Sequence, residues 1–134
     1  STEQENHLKQ YGLNLGIAFQ LIDDVMDYSA NADEMGKNIG DDLAEGKPTL
    51  PLIHALKNGN NDQQQIIKNA ILNGDINQMS EIIQIIQQTK AIDYTFDIAK
   101  QAVNTALDSL KTLPDTPYRD ALISLTHYAI QRTH

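Results

Sequence analysis

Residues 12–51 read GLNLGIAFQLIDDVMDYSANADEMGKNIGDDLAEGKPTLP. The first part of this stretch has a helical pattern. Leu13, Ile17, Leu21, Ile22, Val25 and Met26 recur at helical spacings, which sets apolar side chains along one side of a helix. Gln20, Asp23, Asp24 and Asp27 lie inside the same run and form a polar stripe, because positions three and four apart share a face. Gly12 and Gly16 continue that stripe toward the N-terminus. A glycine inside a helix costs about 1 kcal/mol relative to alanine, so two of them predict a close approach to the backbone there.

Three carboxylates on one stripe repel each other. A solvated face of an amphipathic helix would carry them, and so would a cation site. Magnesium takes oxygen ligands, keeps several waters, and is usually held by one or two carboxylates plus substrate phosphates. The aspartates suit that chemistry: Asp23 and Asp27 point the same way and Asp24 flanks them. The segment that follows is rich in glycine and charge, with Gly36, Lys37, Gly40, Asp41, Asp42, Gly46 and Lys47 before Pro48. Lys37 and Lys47 are the only cations between the aspartates and the next helix. Lysine is a compact point charge that binds phosphate. Carboxylates, a magnesium ion and two loop lysines would make a diphosphate cradle; an acidic surface loop with solvated lysines would have the same composition.

The run FQLIDDVMDY followed by GKNIGDDLAEGKPTLPLIHAL resembles the second aspartate-rich region of the trans-polyprenyl diphosphate synthases. Its wording looks most like the long-chain members that make octaprenyl diphosphate for quinone side chains. The resemblance spans Gly16 to Leu56; the rest of the chain agrees in being helical. It implies the C-terminal part of the isoprenoid synthase fold, an all-α helical bundle. It also implies that Asp23, Asp24 and Asp27 bind magnesium bridged to an allylic diphosphate. By the same likeness Lys37 and Lys47 hold diphosphate oxygens, and Phe19 and Gln20 form the pocket floor near the reacting isoprenoid. The substrates implied are an allylic diphosphate and isopentenyl diphosphate, and the full-length family members are expected to be homodimers.

The first aspartate-rich motif of that family, and the basic residues that accompany it, have no counterpart in this sequence. The expectation is therefore that residues 1–134 are the C-terminal fragment of a larger synthase domain, inactive in prenyl transfer alone. A bundle lacking part of its helices exposes apolar side chains, which predicts self-association or marginal stability. Two other readings fit the helices. One is a non-catalytic helical partner subunit of a heteromeric prenyl synthase, against which the intact DDxxD and both lysines argue. The other is a di-iron carboxylate bundle, which needs Glu-x-x-His pairs on two helices; the sequence has none.

Composition narrows the choices further. The 134 residues fit one domain. A formal net charge of -8 disfavours nucleic acid, whose binding relies on lysine and arginine, and disfavours anionic membrane surfaces. An acidic protein that binds a diphosphate needs divalent cations between the two. Mean hydropathy is -0.42, and no apolar run approaches the ~18 residues of a membrane span, so no stable membrane insertion is expected. No signal-peptide pattern opens the chain. Cysteine is absent, which rules out disulfides and thiolate metal sites and fits a cytoplasmic setting.

The remaining elements follow from periodicity. Ser1 to Tyr28 reads as one helix, and 31–46 as loop with a helical turn near Asp41. A second helix opens at Pro48-Thr49 and stops at the Asn58-Gly59-Asn60-Asn61 break, with His54 packed or at the surface. Asp62 is the expected cap of a third helix that turns Ile66, Ile67, Ala70 and Ile71 inward and ends at Asn73-Gly74. A fourth, from Asp75 or Asn77, uses Ile76, Met79, Ile82, Ile83 and Ile86, with Gln78, Gln84, Gln87 and Gln88 exposed. Thr89 to Leu113 gives a longer helix, with a start near Ala91 as the alternative, and buries Ile92, Phe96, Ala99, Val103, Ala106 and Leu110; Lys100 and Lys111 are solvated. After Pro114-Asp115-Thr116-Pro117, a final helix is expected to bury Ala121, Leu122, Leu125, Tyr128 and Ala129. Arg119 and Arg132 are expected to pair with acids.

Overall fold

The computed structural model describes residues 2–28, 48–74 and 78–131, the last three for backbone only. Six α-helices and no strand occur among the described residues: α1 (Thr2–Met26), α2 (Leu50–Asn58), α3 (Asn61–Asn73), α4 (Met79–Gln88), α5 (Ala91–Leu110) and α6 (Pro117–Gln131). The expected fourth-helix start at Asp75 or Asn77 and the loop over 31–46 lie outside the described residues. The chain divides into two compact units, one formed by 1–22 with 97–134 and the other by 23–96.

In the second unit, α2, α3 and α4 pack on one another. Leu52, Ala55, Ile67, Ala70, Ile82, Ile85, Ile86 and Ala91 form the core, joined by Tyr28. The isoleucine pairs have strand propensity, but their period is helical and burial of the stripe decides the outcome. The α3 N-terminus differs from expectation. The cap is Asn60, not Asp62: the Asn60 side chain accepts from the Gln63 amide at 2.9 Å. The Gln63 side chain accepts from the Asn60 amide, also at 2.9 Å. This reciprocal pair satisfies two amides that would otherwise lack partners at a helix start. Gly74 ends α3 in the left-handed conformation, φ 60 and ψ 27, a cap that glycine adopts without strain.

The first turn of α2 contains Pro51 and not Pro48; Thr49 is its N-cap residue. Of the two expected starts of the long helix, Thr89 and Ala91, the chain takes Ala91, because Lys90 takes a positive φ of 56. The Thr89 hydroxyl donates to the Ile85 carbonyl at 2.8 Å and closes α4. The Lys90 carbonyl accepts the Tyr94 amide at 3.0 Å and opens α5. His54 packs at this junction. Its ring stacks on Tyr94 with centroids 4.1 Å apart. Its Nε2 lies 3.2 Å from the Thr89 carbonyl, which only accepts, so Nε2 carries the proton.

In the first unit, the buried stripe of α5 runs through Ala99, Ala102, Val103, Ala106 and Leu110. Tyr11 and Leu15 of α1 pack with Ala106 and Leu110, and Leu122 and Ile123 of α6 pack against that cluster. Ala18 packs with Ala102 and Val103. The Tyr11 hydroxyl lies 3.0 Å from the Leu122 carbonyl and 2.8 Å from Thr126 Oγ1. Thr126, fully buried, donates to the same carbonyl at 2.8 Å. A hydroxyl that bonds its own helix carbonyl can occupy a core position at little cost.

Helix α6 therefore presents a different side from the one expected. Leu122, Ile123 and Thr126 face the core, while Ala121, Leu125 and Tyr128 are exposed; Ala129 lies beyond the described side chains. Its N-terminus is capped by Thr116, whose Oγ1 accepts from the Arg119 amide at 3.3 Å. Arg119 Nε is buried with no hydrogen-bond partner among the described residues, so the expected acid pairing is not formed there. Lys100 is exposed as expected, and Lys111 pairs at the surface with Asp108 at 2.9 Å.

Candidate functional site

Asp23 and Asp24 stand in the last turn of α1, and Asp27 follows directly after the helix. That last turn contains no basic residue. A helix C-terminus carries the equivalent of roughly half a negative charge, so all three carboxylates sit at the dipole end that repels them. Asp27 is fully buried, Asp24 is 6% exposed and Asp23 is half-buried. Buried carboxylates are rare unless paired or bound to a cation.

The backbone fixes their directions. The Asp27 amide donates to the Asp23 carbonyl at 3.2 Å, and the Tyr28 amide to the Val25 carbonyl at 3.0 Å. The helix thus tightens into a 3₁₀ turn as it ends. Asp23 and Asp27 lie on one face, and Asp24 is turned about 100° from Asp23. Tyr28 holds this turn in place: it is 6% exposed and belongs to the core of the second unit. Sequence reasoning took Tyr28 only as the end of the helix. The signal for its anchoring role is an aromatic residue directly after the third aspartate, in a chain with only 5% aromatics.

Among the described residues, no group of three or more histidine, cysteine, aspartate or glutamate side chains converges to hold a metal ion. Magnesium does not need three, since one or two carboxylates with phosphate oxygens and water complete its shell. An oxygen-only donor set suits magnesium, calcium or manganese over zinc. The three aspartates fit such an ion through their donor chemistry and through the excess negative charge they concentrate.

The other residues expected at the site are distributed as follows. Lys37 and Lys47 lie outside the described residues, as does Arg132. Gln20 is exposed on α1. Phe19 is half-buried and packs against the Tyr11–Leu15–Ala106–Leu110 cluster. Among the described residues, a Cβ at Gly12 or Gly16 would meet nothing within 4 Å. Leu13 and Ile17, counted in the apolar run, are exposed beside them.

The family described as "Polyprenyl synthetase" matches residues 1–89. The chain is 47% identical over 132 residues to the octaprenyl diphosphate synthase of Haemophilus influenzae, covering 98% of this chain and 40% of that protein. It is 44% identical to the all-trans-nonaprenyl-diphosphate synthase (geranyl-diphosphate specific) of Rhodobacter capsulatus, over 97% of this chain and 40% of the relative. The chain thus spans about 40% of the length of the curated relatives it matches, and it aligns with their C-terminal part. Among solved structures, it superposes on a polyprenyl synthase from Caulobacter crescentus complexed with calcium and isoprenyl diphosphate. That match has a TM-score of 0.88 and 34% identity, and covers 100% of this chain and 42% of that one. A decaprenyl diphosphate synthase from Rhodobacter capsulatus gives a TM-score of 0.90 at 33% identity, with 100% and 42% covered.

Proposed function

Because the chain belongs to the polyprenyl synthetase family, we propose that it supplies the allylic-diphosphate end of an enzyme that condenses isopentenyl diphosphate with an allylic diphosphate. The product we assign is octaprenyl diphosphate for quinone side chains. Two things support that length: the wording of residues 36–56 and the likeness to the Haemophilus influenzae synthase. The whole enzyme is read as a cytoplasmic homodimer. The observation that carries the proposal is the placing of Asp23, Asp24 and Asp27 at the C-terminus of a helix whose last turn contains no basic residue.

The residues divide the work. Asp23, Asp24 and Asp27 hold magnesium and take no part in proton transfer. When bound, magnesium would supply positive charge against the negative charge of the departing diphosphate. Lys37 and Lys47 hold the diphosphate oxygens and stabilise the same charge. Phe19 and Gln20 border the reacting isoprenoid. No protein nucleophile is required: the double bond of isopentenyl diphosphate attacks the allylic cation, and the tertiary cation that results loses a proton to the released diphosphate to form the new double bond. Tyr28 anchors the backbone from which Asp27 projects.

The test is a chimera in which this chain replaces the matching C-terminal part of the Haemophilus influenzae synthase. It should extend an allylic diphosphate in a magnesium-dependent assay. Asp23→Ala should lower its kcat/KM on the order of 100-fold or more. Unchanged turnover and unchanged magnesium dependence in that variant would remove the assignment. The alternative, a non-catalytic partner subunit, predicts a folded chimera with no turnover.

A further inference from the structure

Asparagine followed by glycine is a pair prone to lose the side-chain amide, because glycine lets the next backbone nitrogen approach the asparagine Cγ. The chain has two such pairs: Asn58-Gly59 at the end of α2 and Asn73-Gly74 at the end of α3. Both asparagines are exposed, so access to water does not separate them. Hydrogen bonding does. Asn58 Nδ2 donates to the His54 carbonyl at 2.9 Å and lies 3.4 Å from His54 Nδ1. The Gly59 amide donates to the Ala55 carbonyl at 2.9 Å. Gly59 is also held from its far side, since Asn60 is fixed by its reciprocal bonds with Gln63. Both reacting groups of this pair are engaged elsewhere.

Asn73-Gly74 has neither restraint. The Asn73 side chain makes no hydrogen bond among the described residues. Gly74 takes φ 60 and ψ 27. A helix end of this kind is ordinarily closed by the glycine amide bonding a carbonyl of the last turn. The Gly74 amide makes no such bond among the described residues. Leu72 is 81% exposed, so its side chain does not tie the terminal turn to the core. Helix ends held this lightly open most readily.

We infer that Asn73 is a site of spontaneous covalent modification, deamidation to aspartate and isoaspartate, and that Asn58 is spared. The Gly74 amide gives its proton to hydroxide, and its nitrogen attacks Asn73 Cγ. The new N–C bond closes a succinimide ring. The Cγ–Nδ2 bond breaks, and the amide leaves as ammonia after taking a proton from water. Water then adds to either ring carbonyl. Opening on one side gives aspartate; opening on the other gives isoaspartate, whose backbone runs through the former side chain. The net change consumes water, releases ammonia and involves no redox step. Either product adds a negative charge to a chain of formal net charge -8. That charge falls at the C-terminal end of α3, where the helix dipole disfavours it.

Incubation of the isolated chain at mildly alkaline pH, followed by peptide mapping with mass spectrometry, reads both sites together. Asn73 should convert faster than Asn58 by on the order of tenfold or more, because the bonds at Asn58-Gly59 must open before that pair can react. In guanidinium chloride the two pairs should convert at comparable rates, since the difference belongs to the fold. Asn73→Gln should remove most of the early ammonia release, because the longer side chain must close a larger ring that forms more slowly. Equal conversion of the two sites in the folded chain would overturn the proposal. So would early ammonia release unchanged by Asn73→Gln, or a rate ratio that persists in the denaturant, because sequence and not structure would then set it. None of these readouts depends on turnover or on metal binding.

Discussion

The Asp27 amide donates to the Asp23 carbonyl at 3.2 Å, so the outer two aspartates of the cluster are joined through the final backbone turn of α1. The carboxylates are thereby held at the negative end of the helix, whose last turn contains no basic residue.

This placement gives a prediction of unusual sign. In the absence of divalent ions, Asp23→Asn should stabilise the isolated chain by about 0.3–1 kcal/mol, the size of a charge–dipole interaction at a helix end. With magnesium and pyrophosphate present, the wild type should overtake the variant, because a ligand that binds only the folded state adds stability. Urea unfolding with and without magnesium pyrophosphate measures both effects. A variant less stable than wild type in the chelated protein would contradict the repulsion argument.

The glycines of α1 and the glycine before α3 should respond in opposite directions. Gly12→Ala and Gly16→Ala should each stabilise the isolated chain by about 0.5–1 kcal/mol, because a Cβ there meets nothing within 4 Å. Gly59→Ala should destabilise it. The new Cβ would lie 2.9 Å from the Ala55 carbonyl oxygen and 3.1 Å from Gln63 Cβ, and the first of these is backbone. Thermal denaturation of the three variants checks the sign of each.

The α3 cap offers a direct contrast between neighbours. Asn60→Ala should cost about 1 kcal/mol, since it removes the acceptor for the Gln63 amide. Asp62→Ala should cost only a few tenths, the share of one exposed acid in a first turn. Equal losses in urea unfolding would mean that the cap is wrongly placed.

Tyr11→Phe removes the hydroxyl that bridges Leu122 and Thr126. Its expected cost is about 1 kcal/mol, that of a buried hydrogen bond. Thr126→Val should cost a similar amount. The double variant should lose less than the two single losses combined, because both deletions break the same contact. Strict additivity would show that the two hydroxyls act independently.

Much of this was legible from periodicity. The α5 stripe through Ala99, Val103, Ala106 and Leu110 reads directly, because one face is apolar and the others are not. The same rule fails on α6, where apolar residues occupy two faces and the buried one includes Thr126. A threonine bonded to its own helix carbonyl does not look like a core residue in a sequence. Asn60 and Asp62 are both good caps, and only the reciprocal bond with Gln63 separates them. Between the two starts open to the long helix, Thr89 and Ala91, Lys90 decides through a positive φ that lysine rarely adopts. At the site, the aspartates stand out by their spacing. The anchoring of Tyr28 does not, because it depends on residues far along the chain such as Leu52 and Ile67.

The central claim is that Asp23, Asp24 and Asp27 bind a divalent cation together with a diphosphate. Isothermal titration of the isolated chain with pyrophosphate, in magnesium and in chelator, tests it most directly. The account predicts saturable binding with magnesium that disappears in chelator and is lost in Asp23→Asn. Binding of equal strength without the metal, or retained in full by that variant, would contradict it.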